Sequence, residues 1–69
     1  MKIDERALLI AIADGETPRA AVARLGMAPG RARYLLEGKW STRDLYESGV
    51  VYDLGWLTAK GYELAESVR

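Results

Sequence analysis

The sequence contains no histidine, no cysteine and no phenylalanine, and only two prolines. Without His or Cys it has no Ser-His-Asp or Cys-His nucleophile pair, no thiolate or imidazole zinc site and no disulfide. Carboxylates, hydroxyls and amines would have to carry any chemistry. The longest apolar run, Ala7 to Ala13, has seven residues, against the roughly 18 to 20 needed to span a bilayer. No membrane helix and no signal peptide are therefore expected, and the missing cysteine fits a reducing, cytoplasmic setting. Net charge is also lacking, because ten Lys or Arg balance ten Asp or Glu over 69 residues. What remains is one small domain, residues 1–69, with 49% hydrophobic residues to build an unstapled core.

The zero charge hides a segregation. Residues 1–18 set Lys2 and Arg6 against Asp4, Glu5, Asp14 and Glu16, a balance of −2. Residues 19–43 set Arg19, Arg24, Arg31, Arg33, Lys39 and Arg43 against Glu37 alone, a balance of +5. Residues 44–69 return to −3, with Lys60 and Arg69 against Asp44, Glu47, Asp53, Glu63 and Glu66. The basic middle segment is mostly arginine, whose planar fork suits phosphates and guanine edges.

Hydrophobic spacing predicts a first helix over 2–14. Ile3, Ala7, Ile10 and Asp14 form one stripe and Leu8 and Ile12 another, with Leu9 and Ala13 between them. Such all-round apolarity marks the central element, stopped at Asp14-Gly15. Thr17 as N-cap and Pro18 at the first helical position open a second helix, with Ala21, Val22 and Leu25 inward and Gly26 as its left-handed stop. Pro29 opens a third helix, expected to end at Gly38, with Ala32, Leu35 and Leu36 inward. Ser41-Thr42-Arg43-Asp44 reads as a capping box, and Trp40 with Leu45 as its hydrophobic staple, which predicts a fourth helix over about 42–48. Val50, Val51 and Tyr52 read as a strand paired with Trp56-Leu57 across a turn at Asp53-Leu54-Gly55. Thr58 then caps a last helix with Leu64, Ala65 and Val68 inward.

Three stretches, spanning about residues 17–65, carry a resemblance to a known superfamily. Thr17-Pro18 followed by Ala21-Val22-Ala23-Arg24-Leu25-Gly26-Met27 looks like the second helix and turn of a helix-turn-helix. Leu45-Tyr46-Glu47-Ser48-Gly49-Val50-Val51 looks like the exit from a helix through glycine into a first wing strand. Leu57-Thr58-Ala59-Lys60-Gly61-Tyr62-Glu63-Leu64 looks like the passage from the last wing strand into a final helix. In this order they resemble the winged helix-turn-helix DNA-binding superfamily, of bacterial or phage regulator type. The sequence departs from that pattern at Val22, where a small residue is usual, and at Asp53 in a short wing.

The resemblance implies a mainly α fold of about five helices with a small β-hairpin as a two-stranded wing. It also implies a recognition helix at about 29–38 lying in the major groove of double-stranded DNA. On that helix Gly30, Arg31, Arg33, Tyr34 and Glu37 face outward, and Arg33 is the expected base reader, paired with or steadied by Glu37. Arg19, Arg31, Arg33, Tyr34, Lys39 and Arg43 make up the expected DNA contact set, and a homodimer would bring two recognition helices to successive grooves. No cofactor, metal or catalytic residue is expected. The carboxylate pairs Asp4 with Glu5 and Glu63 with Glu66 are assigned to polar helix faces, and the tryptophans to packing. A second reading is a small protein-interaction module, such as a phage-type inhibitor or adaptor, that uses the same fold and arginine face to bind another protein.

Overall fold

A computed structural model of the chain describes residues 1–49 and 55–69. Helix α1 (Ile3–Ala13) lies at the centre, packed on both α2 (Pro18–Leu25) and α4 (Ala59–Val68). Its buried stripe is Glu5, Leu8, Leu9 and Ile12, spaced i, i+3, i+4, i+7, with Ala11 beside it. That stripe differs from the predicted one: Ile3 is 89% exposed. Thr17 and Pro18 open α2 as predicted, with the Ala20 N–H donating to Thr17 Oγ1 at 3.2 Å.

Helix α3 (Pro29–Arg33) does not stop at Gly38. It runs directly into a π-helical segment, Tyr34–Trp40, and residues 41–42 are still helical. Strand β1 (Tyr46–Glu47) then pairs antiparallel with β2 (Trp56–Leu57), with Tyr46 opposite Leu57 and Glu47 opposite Trp56. The described residues thus form four α-helices, one of them extended by a π-helical segment, and a two-stranded sheet. Beneath them lies one core of Leu8, Leu9, Ile12, Leu35, Leu36 and Trp40, joined by Tyr46, Leu57 and Ala65.

The predicted capped helix over 42–48 does not form. Ser41 has helical backbone angles (φ −63°, ψ −42°) and its hydroxyl donates to the Leu36 and Tyr46 carbonyls. The segment is a helix ending. Asp44 takes a left-handed conformation (φ 60°), its N–H donates to the Ser41 carbonyl, and the Leu45 N–H donates to the Trp40 carbonyl at 2.8 Å. This is a Schellman ending, and Trp40 and Leu45 hold the positions that pack together in such endings. The same spacing had suggested a staple. The predicted strand Val50–Tyr52, with Asp53 and Leu54 of its turn, lies outside the described residues.

The left-handed angles at Asp44 suit glycine better, and its ion pair with Lys60 is long (3.9 Å) and exposed. Asp44→Gly should therefore raise stability by about 0.5–1 kcal/mol in urea denaturation, since the native φ costs a side chain more than glycine loses in chain entropy.

At the opposite end Thr58 binds the same corner to α4. Its hydroxyl donates to the Asp44 carbonyl at 2.7 Å and accepts from the Gly61 N–H, while its own N–H donates to the Leu45 carbonyl. Gly61 is buried, and a Cβ there would collide with the Leu45 carbonyl. Glycine at this position is thus explained by helix α4 crossing the backbone of residue 45 without room for a methyl group.

Candidate nucleic-acid interface

Helices α2 and α3 are joined by a tight turn of the kind the sequence predicted. Gly26 is left-handed (φ 65°), and the Met27 N–H donates to the Val22 carbonyl at 3.1 Å. Gly30, Arg33, Tyr34 and Glu37, spaced i, i+3, i+4, i+7, are all exposed. They form one outward face running from α3 into the π-helical segment. Arg33 is the most open of its charged groups, 70% exposed, and its Nε lies 3.5 Å from Glu37 Oε2. Glu37 thus orients the guanidinium without covering it, the pairing expected at i, i+4.

Arg31 and Lys39 face α1 instead. Arg31 forms a two-pronged bond to Asp4, Nε to Oδ2 at 2.9 Å and Nη2 to Oδ1 at 3.0 Å, and its guanidinium lies 5.9 Å from the centre of the Tyr34 ring. The hydrogen bond from Arg31 holds the Asp4 carboxyl below the usual carboxylate range, against a smaller opposing effect of burial. Lys39 donates to Glu5 Oε1 at 3.0 Å, and the fully buried Trp40 indole N–H donates to Glu5 Oε2 at 3.0 Å. Glu5, assigned from sequence to a polar face, is only 2% exposed. Burial pushes its carboxyl up, and the hydrogen bonds from Trp40 and Lys39, with the charges of Lys39 and Arg31, outweigh burial and hold it below its ordinary value. The available signal was the spacing of Glu5 with Leu8, Leu9 and Ile12.

The other two expected contacts lie outside that helix face. Arg19 is exposed in the first turn of α2, and Arg43 is exposed just beyond the π-helical segment. Arg24, also from the basic segment, pairs with Glu16 at 3.0 Å. Much of the acidic first segment is therefore spent on the basic middle one: Asp4 on Arg31, Glu5 on Lys39 and Glu16 on Arg24. Charge segregation along the sequence is in good part cancelled in three dimensions. Outside these three pairs, Arg19, Arg33 and Arg43 of the basic segment are exposed.

Among the described residues no group of three or more carboxylates is placed to hold a metal ion, and no helix is long and apolar enough to cross a membrane. Of the tryptophans, Trp40 is core and Trp56 is 56% exposed. Comparison with protein-family models, with curated proteins and with solved structures finds no match to this chain.

Proposed function

We propose that the chain is a small winged-helix regulator that binds double-stranded DNA through the outward face of α3. The observation that carries this reading is that face itself. On the second helix of a helix, left-handed turn, helix pair, it presents an open guanidinium steadied by a carboxylate, beside a half-exposed tyrosine. Arg33 reads a guanine edge through its fork, and Tyr34 meets a phosphate or a thymine methyl. Arg43 and Arg19 extend the footprint along the backbone. The sheet of β1 and β2 followed by α4 supports the winged arrangement.

The test is fluorescence anisotropy against a duplex library selected for binding. The wild-type chain should bind with an affinity that falls with salt. Arg33→Ala should weaken it by about 1–3 kcal/mol with relaxed specificity at one position. Because Arg31, Lys39 and Arg24 already hold carboxylates, the salt dependence should be shallow for a segment of charge +5. Absence of binding at low salt overturns the reading.

A protein-binding role is favoured by a different observation. Trp56 and Tyr62, 56% and 47% exposed, flank a hollow of about 340 Å³ reaching Thr17 and Pro18. Exposed aromatics of this kind anchor protein interfaces. If DNA binding is absent, an inhibitor or adaptor acting through that surface becomes the working reading.

A further inference from the structure

A second hollow, of about 500 Å³, opens between the start of α1 and the α3 segment, and is lined by Met1, Lys2, Glu5, Arg31, Tyr34 and Lys39. Its size falls within the range of small-molecule sites. Three cations converge on it, and their donors are incompletely used. Arg31 spends Nε and Nη2 on Asp4, leaving Nη1 without a partner among the described residues. Lys39 gives one N–H to Glu5, and Lys2 forms no ion pair among the described residues. Glu5, the one carboxylate lining the hollow among the described residues, has both oxygens engaged, one by Lys39 and one by Trp40. The donors therefore outnumber the acceptors, and a tetrahedral dianion is the ligand that takes hydrogen bonds from three separate cations at once. Tyr34 adds a flat apolar wall, 56% exposed, with the Arg31 guanidinium beside its ring.

We propose that this hollow binds a small phosphomonoester carrying an aromatic ring, the phosphate on Lys2, Arg31 and Lys39 and the ring on Tyr34. The site is built on the seam with α1 and shares Tyr34 with the proposed DNA-binding face, but it makes no use of Arg33.

Adenosine monophosphate is a suitable probe, titrated into the full chain and followed by two-dimensional amide and indole NMR. The Trp40 indole N–H, bonded to Glu5 at the floor of the hollow, is a built-in reporter. Expected are saturable shifts at Lys2, Arg31, Tyr34, Lys39 and the Trp40 indole, with adenosine and inorganic phosphate each binding more weakly. Lys2→Gln should weaken binding about tenfold, the loss of one charge-assisted hydrogen bond. Lys60→Gln, which removes an exposed cation of α4, should leave it unchanged. Lys2 is exposed and has no ion pair among the described residues, so its variant should keep the native spectrum. Non-saturating shifts, adenosine or phosphate alone binding as tightly as the monophosphate, or an equal loss in Lys60→Gln would overturn the assignment.

Discussion

Trp40→Ala should lose about 3–5 kcal/mol of stability, the range for deleting a large buried aromatic. A domain of this size holds roughly 3–10 kcal/mol in total, so the loss takes a large share of the stability and, at the low end of that range, unfolds the chain in water at 25 °C. Trp40 is fully buried at the end of the π-helical segment, lies edge-on to Tyr46 with ring centres 6.5 Å apart, and donates its indole N–H to Glu5. Removing it empties the largest side chain from the core and leaves a buried carboxylate oxygen without its donor. Trp40→Phe separates the two losses. It keeps most of the apolar volume while removing the N–H, so it should cost less, with about 1–3 kcal/mol of the loss coming from the buried polar atom left unsatisfied. Urea denaturation followed by far-ultraviolet circular dichroism measures both. Wild-type stability in Trp40→Ala would show that the π-helical segment is not anchored through this residue.

The same tryptophan shows where sequence reasoning works and where it fails. Thr17, Pro18, Gly26 and Thr58 were legible because their roles are local: each satisfies or removes a backbone group within one helical turn. Ser41 to Asp44 misled because a capping box with its staple and a Schellman ending with its hydrophobic contact both place two apolar residues five apart. Which one forms is decided by tertiary structure. Carrying the helix past Gly38 brings Lys39 and Trp40 onto Glu5, 34 and 35 residues away in sequence. That gain is invisible in any local window.

The candidate interface divides in the same manner. The 3.6-residue period correctly placed Gly30, Arg33, Tyr34 and Glu37 outside, and the Arg33 to Glu37 pair followed from their spacing. It also placed Arg31 outside, yet that side chain is 27% exposed, because Asp4 draws it back across α1. A segmental charge count cannot see such pairing. It reads +5 for residues 19–43, although three of those cations are matched by carboxylates from residues 1–18.

Glu5→Ala should be nearly as damaging as Trp40→Ala, at about 3–5 kcal/mol, because it leaves the buried Trp40 N–H and the Lys39 ammonium without their acceptor. Glu5→Gln should cost less. An amide oxygen can still accept from Trp40, and Lys39, 28% exposed, can turn toward water. The two variants separate the hydrogen bond from the charge, and pH gives an independent measure of the charge. The folded-state pKa of Glu5 lies below its ordinary 4.5, so the folded state favours the ionised form more than the unfolded chain does. The resulting stabilisation is complete above the unfolded value and is lost as pH falls through the lower folded one. Asp4 and Asp14, held down by Arg31 and Arg69, act in the same direction from the surface, where solvent screens them. Urea midpoints between pH 7 and pH 3 should therefore fall for the wild-type chain, and the gap between wild type and Glu5→Gln should close toward the acid end. A gap that stays constant across that interval would mean that the Glu5 charge contributes nothing beyond its hydrogen bond to Trp40.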